Sequence, residues 1–246
     1  MQLMSIDNIK DIRQTIILAK KYEQESGEFD RLMFRHAHYL PNSIALDNAH
    51  STTEASQALE ELAVRYIEHV PDFLEAIYQI AEQAGIDREI EPFLQIAEDY
   101  FLKPPEIVEG HKGLDALMDE SYLAHRLMEE LNDRFINHCG IPLAPLDMTR
   151  ANIIIHHLIG EPFANELDSI VQHAAENLIN DARVFETKDF KRYAQDHHAR
   201  GWSEELKRWP CLMQDLNVEL KIGDSNNNEP THRDDNPEEK IDFIVH

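Results

Sequence analysis

Residues 114–138 read LDALMDESYLAHRLMEELNDRFINH. Leu114, Leu117, Met118, Leu123, Leu127, Met128, Leu131 and Phe135 recur three and four apart, which lays them along one side of an α-helix. Asp115, Asp119, Glu129, Glu130 and Asp133 fall on the other side and are expected to face water. A helix of this length with an apolar stripe requires other helices to cover it. CGIPLAP, residues 139–145, ends the helix and turns the chain.

The same period extends in both directions. Towards the N-terminus, Ile6, Ile9, Ile12, Ile16 and Ile17 mark a helix with Ser5 as its N-cap and Gly27 beyond its end. A short helix follows from about Phe29 to Tyr39, and PNSIALDNAHSTT, residues 41–53, reads as a loop. Ser51, Thr52 and Thr53 offer caps for a long helix whose apolar positions run from Leu59 to Ala81. Pro71 is expected to break or kink it, and Gly85 to end it. Arg88 to Leu102 gives one more helix. Towards the C-terminus, helices are predicted from Pro145 or Asp147 to Gly160, from Glu161 to about Asn180, from Lys188 to Gly201, and briefly near Glu204–Trp209.

The predicted fold is therefore all-α, a multi-helix, bundle-like globular domain over residues 1–216. KPPEIVEG, residues 103–110, marks a possible subdivision near 103–113. From residue 217 the texture changes to an acidic, polar tail. Its flanks VELKI and IDFIV are strand-like and could pair as a hairpin around a long loop, or add to another sheet edge. Only 8 glycines occur in 246 residues, too few for a protein built from tight β-turns.

Forty-seven acidic residues against 23 basic ones give a formal charge of -24, which repels nucleic acids and anionic membranes over the surface as a whole. The N-terminal segment MQLMSIDNIKDIRQ lacks the apolar core of a signal peptide, and no apolar run is long enough to span a bilayer. Two cysteines with no C-x-x-C exclude zinc-ribbon and thioredoxin-like readings and fit a reducing, cytoplasmic setting. Phosphate-binding glycine loops, G-x-S-x-G and His-Glu-x-x-His are all absent, so no catalytic activity is assigned and no cofactor is named.

Two regions carry the functional expectations. The first is TRANIIIHHLIGEP, residues 149–162, where His156 and His157 interrupt the most apolar run. Adjacent helical residues point about 100° apart, so the two rings cannot both face one site squarely. Gly160 as a helix stop makes them last-turn residues favoured by the helix dipole, which explains the motif without chemistry. The functional alternative is a non-standard metal site or metalloenzyme built from His156, His157 and Glu161 together with Asp119, Glu120 and His125. The Glu-x-x-His pairs of di-iron bundles are missing from the helices. His69, just before Pro71, reads as a helix-end residue.

The second region, residues 182–209, interleaves basic and aromatic side chains, the recipe for a protein contact. Lys191, Arg192, Tyr193, Trp202 and Trp209 are its partner-binding candidates, although the aromatics of such a helix also suit a core. The leading functional expectation is an acidic, soluble protein that acts by protein–protein interaction, with a basic partner favoured by the charge and self-association open.

Overall fold

A computed structural model describes residues 6–41, 44–46, 49–108, 110–140, 142–143, 148–179, 187–200 and 218–220. Eight helices occur among them: α1 (Ile6–Ser26), α2 (Glu28–His38), α3 (Thr52–Ala84), α4 (Asp87–Leu102), α5 (Leu114–Cys139), α6 (Thr149–Ile159), α7 (Glu161–Ile179) and α8 (Lys188–Arg200). The architecture is all-α, as the periodicity predicts. Two three-residue strands complete it: β1 (Ile44–Leu46) pairs antiparallel with β2 (Val218–Leu220). Part of the expected loop 41–53 is thus a strand. Its partner lies far away in sequence, so no local signal could reveal it. Pairing of VELKI with IDFIV falls outside the described residues, as do Trp202, Trp209 and the expected helix near 204–209.

The punctuation works locally as its chemistry requires. Ser51 caps α3 by accepting a bond from the Glu54 N–H at 3.2 Å, and the Glu54 carboxylate accepts one from the His50 N–H at 2.6 Å. Gly85, with φ of 70°, ends α3, and its N–H reaches the carbonyls of Ala81 and Glu82. Pro71 lies inside α3, which continues through it without a break. Arg13 pairs with Asp72 at 2.8 Å and Glu75 at 3.1 Å, and Lys20 with Glu68 at 2.7 Å, which staples α1 along α3.

Helix α5 is the hub. It packs against α1, α3, α4, α6 and α7, and one apolar cluster runs from Ile12 on α1 to Tyr193 on α8 through all of them. The two-sided reading of α5 holds for its apolar stripe and for Asp133, which is exposed, and fails at Asp119. Asp119 was expected in water and is buried, and Glu120, Ser121, Tyr122 and His125 are buried with it. Flanked by five other helices, α5 is buried all round from Leu117 to His125, and its polar residues there must find partners inside. The segment 103–108 includes a 3-10 turn, Glu106–Val108, whose Val108 joins the same core.

Candidate functional site

Polar residues of α5, α6 and α7 converge on a cleft of about 330 Å³ lined by Tyr122, Arg126, Glu129, Thr149, Asn152, Ile153, His156 and Asp168. Helical spacing gathers them. Tyr122, Arg126 and Glu129 stand four and three apart on α5, and Thr149, Asn152, Ile153 and His156 share one face of α6. Asp168 comes from α7, which leaves α6 at Gly160. The positive φ of Gly160, 96°, permits the turn between them.

The cleft is tied to the core by a continuous chain of hydrogen bonds. Tyr66, fully buried on α3, donates its hydroxyl to Asn152 Oδ1 at 2.6 Å. Asn152 Nδ2 donates to Glu129 Oε2 at 2.8 Å, and Thr149 Oγ1 donates to Glu129 Oε1 at 2.9 Å. Arg126 bridges the two carboxylates: Nη1 donates to Glu129 and Nε donates to Asp168 Oδ1 at 2.9 Å. Burial works against the guanidinium's charge, but these two acids more than offset it and raise its pKa. Tyr122 also donates to Asp168 Oδ1, at 3.0 Å, and lies 2.8 Å from His156 Nδ1. Burial, reinforced by Asp168, pushes the Tyr122 pKa upward, so the phenol keeps its proton.

That proton fixes the state of His156. The carboxylate of Asp168 can only accept, so the single Tyr122 hydroxyl proton points at Asp168 and leaves an oxygen lone pair towards His156. His156 then donates from Nδ1, and Asp168 Oδ2, 3.7 Å from that nitrogen, favours the same tautomer. The lone pair of the neutral ring sits on Nε2, which has no protein partner among the described residues. The side chains of His156 and Asp168 are 25% and 30% exposed, so a solute can reach them.

The six residues weighed as metal ligands fall in separate places. His156 belongs to the cleft. His157 and Glu161 are exposed. The charge of His157, after burial, lowers the pKa of His36 on α2. Asp119 makes a short contact with Nδ1 of His111; burial raises its pKa to about 7, against the pull of that imidazole. Glu120 is raised by burial, and then by Asp119, to about 8, and its Oε2 is buried without a hydrogen bond. His125 stacks on His69, with Nε2 3.1 Å from His69 Nδ1 and its own Nδ1 donating to the Ser121 carbonyl at 2.9 Å. Among the described residues, no group of three or more His, Cys, Asp or Glu side chains could share a metal ion.

His69 is therefore a core residue paired across α3 and α5, not a helix-end residue at Pro71. Of the partner-binding candidates, Lys191 and Arg192 are exposed, and Arg192 pairs with Asp189 at 3.0 Å. Tyr193 is buried and donates its hydroxyl to the Leu143 carbonyl at 2.8 Å, and Phe190 packs edge-on against Phe135. These two aromatics dock α8 on the core.

The cleft residues Tyr122, Arg126, Glu129, Asn152 and Asp168 were not singled out by sequence reasoning. The signal for them was polar side chains at helical spacing on two successive helices, facing a histidine. Comparison with known protein families, curated proteins and solved structures returned no match. No helix among the described residues is long and apolar enough to cross a membrane.

Proposed function

We propose that this chain is a ligand-binding protein whose working site is the polar cleft between α5, α6 and α7, with His156 the group that takes a hydrogen bond or a proton from the ligand. The observation that carries this reading is the Tyr122–His156–Asp168 arrangement. It leaves one imidazole nitrogen without a protein partner on a residue that lines the cleft, where the neighbouring side chains are held in place by one another. Prearranged groups of this kind favour a compact polar ligand over a broad macromolecular contact. The test is a screen of small neutral, anionic and cationic compounds, read by NMR at the His156 ring and the Ile153 methyls. Saturable shifts confined to these residues, and lost in His156→Ala, are expected. A screen in which every compound leaves both residues unmoved contradicts the reading.

A second reading, protein–protein interaction, is favoured by a different feature. Ile17 and Leu18 on α1 are 58% and 57% exposed beside a groove that carries Arg13, Lys20 and Lys21. Arg13 and Lys20 are paired there with Asp72 and Glu68, which leaves Lys21 as the cation beside two adjacent exposed apolar residues, a pattern that suits an amphipathic segment with an acid facing Lys21. A synthetic peptide of that kind, followed by fluorescence anisotropy, is expected to bind the wild-type chain and not Ile17→Asp/Lys21→Glu. Equal affinity for both proteins sinks this reading.

A further inference from the structure

Resting on the cleft as the working site, we infer that its ligand is a compact organic cation, a primary ammonium on a short apolar body, with the ammonium at Asp168 Oδ2 beside the His156 ring and the body against Ile153.

The inference follows from which groups of the cleft are already used. Glu129 accepts at both oxygens, from Thr149, Asn152 and Arg126. Asp168 accepts twice at Oδ1, whereas Oδ2 has only the His156 Nδ1 at 3.7 Å, beyond hydrogen-bond distance. The unused acceptors of these side chains are one carboxylate oxygen and one imidazole nitrogen, and the unused donors are the remaining N–H groups of Arg126, whose charge is already shared between Glu129 and Asp168. An ammonium group supplies three donors and no acceptor.

The charge agrees. Two carboxylates against one guanidinium leave the cleft negative when His156 is neutral, on a chain of formal charge -24. An anionic ligand at the remaining N–H groups of Arg126 would stand beside both Glu129 and Asp168 and be repelled by them. Ile153 is 47% exposed although it lies on the cleft wall, and it gives the apolar part of a ligand a surface to cover. The volume of about 330 Å³ matches a small amine.

The probe is n-butylammonium, compared with butan-1-ol and butyrate at equal concentration. The full chain is used in about 0.15 M salt, so that diffuse attraction to the acidic surface is screened. Butylammonium is expected to shift the His156 ring and the Ile153 methyls saturably in the millimolar range, at least tenfold more tightly than the alcohol, with no shift from butyrate. Asp168→Asn is expected to weaken it at least tenfold. Because Asp168 also holds Tyr122 and Arg126, the exposed Ile153→Lys serves as a second variant: its ammonium at the cleft wall is expected to abolish binding of the probe while leaving the thermal transition in place. The exposed Glu161→Gln is expected to bind as the wild type does. Equal binding of the alcohol, or tighter binding of butyrate, overturns the cationic class while leaving the cleft as the site. Butylammonium binding that persists in Ile153→Lys places the cation elsewhere and overturns the inference. Silence of all three probes at His156 and Ile153 contradicts the cleft reading as well.

Discussion

Glu120 sits inside the bundle on α5 with Oε2 bonded to nothing among the described residues, and burial raises its pKa to about 8. A carboxyl whose folded pKa lies above its unfolded value stabilises the fold fully only below the unfolded pKa, near 4.5, and that contribution is lost as pH rises through about 8. Glu120→Gln keeps the shape and removes the ionisation. It is expected to flatten the decline in stability between pH 5 and 8 by on the order of a few kcal/mol, measured by urea denaturation across pH. An unchanged slope would mean that Glu120 is ionised in the fold. Gly113 gives a second residue-scale case. Its φ is +62°, and a Cβ there would stand 2.7 Å from Tyr22 Cδ1. Gly113→Ala is expected to cost about 2–4 kcal/mol, and Tyr22→Ala in that background to recover the part due to the clash but not the part due to the backbone. Neither environment was legible beforehand. Sequence gives the type of a residue and its helical face, but not how many neighbours close over that face.

At the scale of elements, the helices were largely legible because their ends carry their own chemistry. Ser51, Gly27, Gly85 and Gly160 mark boundaries through local hydrogen bonds and backbone geometry, which need no distant partner. What depends on distant partners was not legible: the β1–β2 pair, and the seam between α3 and α5 where His69 meets His125. In that seam the Ser121 carbonyl fixes His125 as the Nδ1–H tautomer, so Nε2 must accept from His69 Nδ1. Burial lowers the pKa of both rings, most strongly for His125, which the charge of His69 lowers further. Both rings are neutral in the fold, while the unfolded chain takes up protons below about pH 6.5. Stability from this seam is therefore present above that pH and lost as pH falls below it. His125→Leu is expected to be less stable at pH 7 yet to show a shallower loss from pH 7 to 5. A loss as steep as in the wild type would place the acid sensitivity elsewhere.

Across the whole molecule, one hydrogen-bonded chain runs from Tyr66 in the core through Asn152, Glu129, Arg126, Asp168 and Tyr122 to His156 at the cleft, joining α3, α5, α6 and α7. Asn152→Ala cuts it where it leaves the core, stranding the fully buried Tyr66 hydroxyl and removing a donor from Glu129. It is expected to cost about 2–4 kcal/mol, and Tyr66→Phe to cost less in that background than alone, as a denaturation double-mutant cycle would measure. The all-α class was legible from the helical period and the scarcity of glycine. The cleft was legible in half: TRANIIIHHLIGEP drew attention to His156, and its helix-end position is real, but Asp168 and Tyr122 reach that ring only through the packing of α7 and α5. The most direct test of the cleft is the protonation pattern of that ring. Long-range proton–nitrogen NMR of the full chain in alkaline buffer, assigned with His156→Gln, reports which nitrogen of the neutral imidazole carries the proton. The arrangement described here predicts Nδ1–H with a bare Nε2, and a shift towards the mixed pattern of a free imidazole in Asp168→Asn. A His156 ring protonated at Nε2 in the wild type would contradict it, because Tyr122 would then be donating to the imidazole and no open nitrogen would face the cleft.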